Sequence, residues 1–195
     1  MNQALAETSD EDLMVQYAAG DDTAFRLLFE RYVPIVSALV RRTIRSTADV
    51  QDVVQQVFVR LHRARHDYRP ERAFRPWLTT IALNLRRDLG RKAYRRRETA
   101  LDVSPSSHAK VTPPGIERFH AADALNHAME TLSLRNREIL ELHWFEGFSF
   151  AEVADVLGMS KSAVKVAAHR SYKVLRSELY DHSGGDGIGG DGRDA

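Results

Sequence analysis

The residues of this chain with the clearest chemistry lie between 161 and 173. Val164, Ala168, Ser171 and Leu175 run i, i+4, i+7, i+11, one apolar or small stripe at helical period. Rolled into a helix, that stripe leaves Lys161, Ser162, Lys165, Val166, His169, Arg170 and Lys173 on the outside. A cationic face of this kind enters a major groove. Upstream, Thr80, Asn84, Arg87 and Arg91 line one side of another helical repeat, followed by Lys92, Arg95, Arg96 and Arg97. Asn can read base edges and Arg can hold a phosphate or a guanine, which makes this a second candidate nucleic-acid surface. Other chemistry is thin. His62 and His66 at i, i+4 could chelate a metal in principle, but no cysteine and no HExxH pattern accompanies them, so no metal or other cofactor is expected. No catalytic carboxylate cluster or nucleophile–base pair is evident either, and the chain reads as a binding protein, not an enzyme.

Positioning the first face falls to EGFSFAEVADVLGMSKSAVKVAAHRSYKVLR, from Glu146 to Arg176. Ser149 and Glu152 make a capping box, with Phe148 and Val153 available as its hydrophobic staple, so a helix begins at Phe150. Ala154, Gly158 and Val164 then supply the small crossing residue, the glycine free to take positive φ and the apolar plug that a helix-turn-helix corner needs. Ser160 is placed to cap the second helix. A plain α-hairpin with solvated lysines would share some of these features, because charge on the outer face is the default for a surface helix. The coincidence of cap, corner and basic face favours DNA binding.

The balance of 28 Lys and Arg against 27 Asp and Glu, a net charge of +1, hides a strong segregation. Acidic residues gather near the N-terminus and in the glycine-rich tail, whereas residues 60–97 are basic, relieved only by Asp67, Glu71 and Asp88. Two separated cationic surfaces favour a polyanion, since Lys and Arg at phosphates release condensed counterions. The absence of cysteine excludes a disulfide framework, and Glu7, Asp10, Glu11 and Asp12 are the opposite of a secretory n-region. No apolar run approaches membrane-span length, so membrane insertion is not expected and the cytoplasm is the expected location.

In chain order, residues 9–32 hold helical segments split at Gly20-Asp21-Asp22, with Leu13, Met14, Val15 and Tyr17 before the break and Phe25, Leu28, Phe29 and Tyr32 after it as core. The second segment continues past Pro34 to about Ile44. Ser46 or Thr47 opens a helix with Val50, Val53, Val54, Val57, Phe58 and Leu61 on one side and Asp49, Asp52, Gln55, Gln56 and Arg60 on the other. Periodicity alone reads that polar side as a solvated face. After a turn around Pro70, Pro76 in a first helical turn starts a helix with Phe74, Trp77, Leu78, Ile81, Ala82, Leu85 and Leu89 as its core stripe. Periodicity stops over 98–117, a Ser-, Thr- and Pro-containing linker whose extended reach is roughly 65 Å at ~3.3 Å per residue. Beyond it, Leu125, Ala128, Met129 and Leu132 mark one helix and Ile139, Leu140, Leu142 and Phe145 the next. The tail, 181–195, has too little apolar content to pack and is expected to be disordered. The expected fold is all-α: two small helical domains, 1–97 and 118–180, joined by a flexible linker, the second ending in a helix-turn-helix.

With these residues assembled, the chain resembles the extracytoplasmic-function group of the bacterial sigma-70 family, promoter-specificity subunits of RNA polymerase, over roughly Asp10 to Leu179. The stretch DLMVQYAAGDDTAFRLLFERY is similar to the family's first conserved segment and DVQDVVQQVFVRLHRA to its polymerase-binding helix. FRPWLTTIALNLRRDLGRK resembles the helix that melts and reads the minus-10 element, and LSLRNREILELHWFEGFSFAEVADVLGMSKSAVKVAAHR the minus-35 domain. The resemblance implies that Asp49, Asp52, Gln55, Gln56 and Arg60 dock on the clamp helices of the polymerase β′ subunit, reversing the solvated-face reading, and that the β flap is a further contact. It implies that Thr80, Asn84, Arg87, Arg91 and Lys92 engage the minus-10 strand, and that Lys161, Ser162, Lys165, Val166, His169, Arg170 and Lys173 read the minus-35 major groove. Promoter DNA, core RNA polymerase and an anti-sigma factor are the implied partners. The family usually carries an arginine at the place of Ala167 and a basic residue at that of Tyr172, and a proline in place of the Leu134-Arg135 stretch, the last a change expected at a helix cap.

The alternative is a dimeric helix-turn-helix regulator acting without polymerase, but no dimer heptad or ligand pocket supports it. A DNA-modifying enzyme lacks the residues for its chemistry.

Overall fold

The computed structural model describes residues 8–44, 46–99 and 116–183, with side chains except at 90, 92–99, 116–123 and 180–183. Its elements among these residues are helical, and the chain divides into two compact units, Met1–Ser106 and Ser107–Ala195. The linker expected over 98–117 lies mostly, and the tail over 181–195 largely, outside the described residues.

The first unit holds α1 (Asp10–Ala18), α2 (Asp22–Arg41), α3 (Thr47–Arg63) and α4 (Phe74–Thr99). Side-chain oxygens start the first three, each accepting an otherwise orphaned N–H. Ser9 takes that of Asp12 at 3.1 Å, Asp21 those of Thr23 and Ala24, and Ser46 that of Asp49 at 3.3 Å. Gly20, at φ +105°, turns the chain between α1 and α2. Pro34 sits on the exposed side of α2, and the helix runs on through it, stopping at Arg41 short of the expected Ile44. The α3 stripe is buried as the periodicity requires, from Val50 at 2% exposed to Val57 and Leu61 at 0%. Burying such side chains contributes about 1.5–3 kcal/mol apiece, so α3 is held mainly by this one face.

Two core expectations shift. Val15 and Phe29 stand 43% and 41% exposed. Phe29 forms the rim of an aromatic cluster, its ring 6.0 Å from Phe25 and 4.6 Å from Phe58. On α4, Phe74, Leu78, Ala82 and Leu85 are buried, but Trp77, Ile81 and Leu89 are only half-buried. Thr79, Leu83 and Arg86 take their place in the core, because α4 packs against α1, α2 and α3 together and the covered arc rotates toward that side. Arg86 Nη1 donates to the Leu39 carbonyl of α2 at 3.4 Å.

The second unit holds α5 (Ile116–Thr131), α6 (Leu134–Leu140), a π-helical turn (Glu141–Phe145), α7 (Phe150–Leu157) and α8 (Lys161–Ser183). Ser133 caps α6 by accepting the N–H of Asn136 at 3.3 Å, so the replaced proline leaves a working cap. The π-turn closes with the Glu146 N–H on the Glu141 carbonyl at 3.1 Å. Its wider turn rotates Phe145, expected in the core, to 49% exposed and leaves Trp144 at 46%. α8 packs against α5, α6 and α7 through the stripe Val164, Ala168, Ser171 and Leu175, all buried. The polar member is satisfied, since Ser171 donates its hydroxyl to the Ala167 carbonyl at 2.8 Å.

Candidate nucleic-acid and protein interfaces

The helix-turn-helix forms where its local chemistry places it. Ser149 Oγ accepts the Glu152 N–H at 3.3 Å while Glu152 Oε2 accepts the Ser149 N–H at 2.8 Å, a complete capping box at the start of α7. Phe148 and Val153 are both buried. Gly158 ends α7 at φ +63°, and the Met159 N–H reaches back to the Ala154 carbonyl at 2.9 Å, the bond of a Schellman cap. Ser160 Oγ accepts the Ala163 N–H at 3.2 Å and starts α8. Contacts less visible in sequence brace the corner. Arg135 Nη2 donates to the last carbonyl of α7, that of Leu157. The His143 Nδ1 position hydrogen-bonds the Phe148 carbonyl at 2.7 Å, and its ring stacks on Phe150 at 4.1 Å.

On α8, Lys161, Ser162, Lys165, Val166, His169, Arg170 and Lys173 are all exposed, on the side away from the buried stripe. Their exposure follows from the same 3.6-residue period that buries the stripe. Ala167 is half-buried, and Tyr172 is 49% exposed with the Trp144 ring edge-on to it at 5.7 Å.

In the first unit Asp49, Asp52, Gln55, Gln56 and Arg60 are likewise exposed together along α3, with Gln51 and Val59 beside them. Both ring nitrogens of His62 meet other side chains. The Tyr17 hydroxyl and His62 Nδ1 share a hydrogen bond at 2.5 Å, and Arg65 lies on its other ring nitrogen at 3.4 Å. Among the described residues no group of three or more His, Cys, Asp or Glu side chains is arranged to hold a metal ion, and no helix is long and apolar enough to cross a membrane.

Along α4, Asn84 and Arg91 are exposed and Thr80 and Arg87 half-buried. The Thr80 hydroxyl donates to the Pro76 carbonyl at 2.9 Å, and Arg87 Nη1 donates to Asn84 Oδ1 at 3.3 Å. Lys92 lies on the same helix, its side chain outside the described part. The sequence did not single out Asp88. Its Oδ1 stands 2.5 Å from Arg91 Nη2 and its Oδ2 3.6 Å from Arg60 Nη2 on α3. The Arg91 hydrogen bond, aided by the charge of both guanidiniums, holds the Asp88 carboxyl below its ordinary value.

Comparisons with known proteins show the family. A family model described as sigma-70 region 2 matches residues 28–97, covering α3 and most of α4, and one described as sigma-70 region 4 matches residues 122–175, covering the helix-turn-helix. The RNA polymerase sigma factor CarQ of Myxococcus xanthus is 36% identical over 171 residues, 85% of this chain and 95% of the relative. The ECF RNA polymerase sigma factor SigM of Mycobacterium tuberculosis is 29% identical over 85% of this chain and 82% of its own length. A solved structure of CnrH, a sigma factor of Cupriavidus metallidurans, in complex with the cytosolic domain of CnrY superposes with a TM-score of 0.68 at 31% identity, over 89% of this chain and 99% of that one. The two regions occur in order, one on each unit, and the chain belongs to the sigma-70 family as an RNA polymerase sigma factor of the extracytoplasmic-function type.

Proposed function

We propose that the chain is a non-catalytic, cytoplasmic subunit that binds core RNA polymerase, directs it to a two-part promoter and assists strand opening. The carrying observation is the pairing of a region 2 match on the α3–α4 unit with a region 4 match on the α7–α8 unit. The exposed polar side of α3, with Asp49, Asp52, Gln55, Gln56 and Arg60, is the surface for the β′ clamp helices, and the second unit meets the β flap. Thr80, Asn84, Arg87, Arg91 and Lys92 of α4 engage the minus-10 strand, where capture of an unstacked base offsets a few kcal/mol of unpairing. Lys161, Ser162, Lys165, Val166, His169, Arg170 and Lys173 of α8 enter the minus-35 major groove. Opening then draws its energy from tighter binding of the open strand, and no bond chemistry is required. An anti-sigma partner is supported by the likeness to CnrH, whose structure was solved with the cytosolic domain of CnrY.

The test mixes the purified chain with core polymerase and a linear promoter library and sequences the transcripts. Defined start sites that depend on the chain are expected. Failure to bind core, with tight binding to palindromic duplex alone, would overturn the proposal. Reversing Asp52 to Lys together with Gln56→Lys should weaken core binding and spare minus-35 duplex binding, whereas Arg170→Ala should do the reverse, at a cost of about 1–3 kcal/mol if it contacts a base.

A further inference from the structure

We infer that Asp88 is a specificity-determining residue of the strand-binding face: by neutralising Arg91 it suppresses sequence-blind attraction to phosphates and leaves selection to base capture. This rests on the proposed engagement of α4 with single-stranded DNA.

Between Glu71 and Glu98, Asp88 is the sole carboxylate among nine Lys and Arg residues. It pairs with one of these and with one arginine from outside the stretch. One oxygen lies 2.5 Å from Arg91 on its own helix and the other 3.6 Å from Arg60 on α3. A structural purpose explains this poorly. The side chains of Asp88, Arg60 and Arg91 are 38%, 47% and 69% exposed, and ion pairs so open to water contribute little to stability.

Its electrostatic consequence is larger. The cluster carries one net positive charge where the two guanidiniums alone would carry two. Attraction of cations to the phosphate backbone is the same for every sequence, so it raises wrong and right binding alike. What matters in a genome is the ratio between them, and a repulsive element aimed at the generic ligand improves that ratio. A phosphate approaching Arg91 meets the Asp88 carboxylate already in place. Asn84, neutral and held by Arg87 at 3.3 Å, presents hydrogen-bonding groups to a base without that cancellation. The carboxylate thus penalises phosphate contact more than base contact.

The experiment measures binding of the full chain to a fluorescent single strand of non-promoter sequence, and of its holoenzyme to that strand and to a minus-10 strand, over a series of salt concentrations. Asp88→Asn should bind the non-promoter strand roughly 3–10-fold tighter at low salt, with the slope of log K against log salt steeper by about 0.7, the value for one additional phosphate contact on a single strand. The promoter to non-promoter ratio of the holoenzyme should fall correspondingly. Asp88→Glu should behave as the original chain, and Arg91→Gln added to Asp88→Asn should abolish the gain. An unchanged slope in Asp88→Asn, or a gain that survives Arg91→Gln, overturns the inference. Should Asp88→Asn lose helicity by circular dichroism, the pair Arg91→Gln and Asp88→Glu decides: Arg91→Gln in the original background should alter the slope by much less than 0.7, and a full loss would contradict prior neutralisation. A holoenzyme with no promoter preference at all would defeat the proposed function instead, while the slopes on the non-promoter strand would still judge Asp88.

Discussion

The carboxylate of Glu11, on α1, accepts the backbone N–H of Phe74, the first residue of α4, at 2.8 Å across 63 residues of sequence. Ala73, just before α4, has no side-chain oxygen to serve as a cap, so the start of that helix is completed from a distant element. Glu11→Ala should therefore destabilise the first unit by about 1 kcal/mol, the typical cost of a lost N-cap, and Glu11→Gln by less because it keeps an acceptor. Urea unfolding checks this: the midpoint should fall with an unchanged m-value.

Gly158 should tolerate alanine badly for a reason of backbone alone. Nothing lies within 4 Å of where its Cβ would be, yet its φ of +63° is left-handed. Gly158→Ala should cost roughly 1–2 kcal/mol from that strain. The thermal midpoint should drop, and minus-35 duplex affinity should be recovered once binding is measured well below the new midpoint.

Val166 is an exposed apolar residue beside Lys165 on α8, 49% accessible. In a major groove the apolar feature available to it is the 5-methyl group of thymine. Replacing the contacted thymine by deoxyuridine should weaken minus-35 binding by roughly four-fold, near the ~0.8 kcal/mol of one methyl group. Val166→Ala should shrink that difference. A uracil scan that leaves binding flat at every position would remove Val166 from base reading.

Alkaline stability should be limited by the first unit. Burial, followed by the charges of Glu11, Asp10 and Glu71, pushes the Tyr68 phenol up to about 12, and Tyr32 is raised too, by burial and by its hydrogen bond to Asp10. Both are raised above the unfolded value of about 10. Their contribution is therefore complete below pH ~10 and is lost as pH climbs through the folded values. Loss of helical ellipticity should track the rise of tyrosinate absorbance. Tyr68→Phe, which deletes the 2.6 Å bond to the Arg72 carbonyl, should make the alkaline loss shallower while costing about 1 kcal/mol at neutral pH.

Local rules carried much of this architecture. The capping box at Ser149, the glycine corner at Gly158 and the α8 stripe each depend on residues a few positions apart, and each formed as its spacing required. What sequence could not display was pairing between elements. Glu11 on Phe74, Tyr17 on His62 and Asp88 on Arg60 join residues with no periodic relation. The rotated core arc of α4 was hidden likewise, since periodicity locates an apolar stripe but not how many neighbours cover the helix. Arg86, a cation in a basic run, gave no sign of being 4% exposed. For Phe145 the 3.6-residue count itself failed, because the π-turn changes the count at that point.

The Trp144–Tyr172 packing also makes the chain its own spectroscopic instrument. Its two tryptophans fall one in each unit, Trp77 of α4 against Tyr68 at 5.1 Å and Trp144 against Tyr172 of α8 at 5.7 Å. Replacing either by phenylalanine leaves a single tryptophan, which excitation at the red edge of its band selects over the six tyrosines, so each unit can be followed separately and in time without attaching a dye.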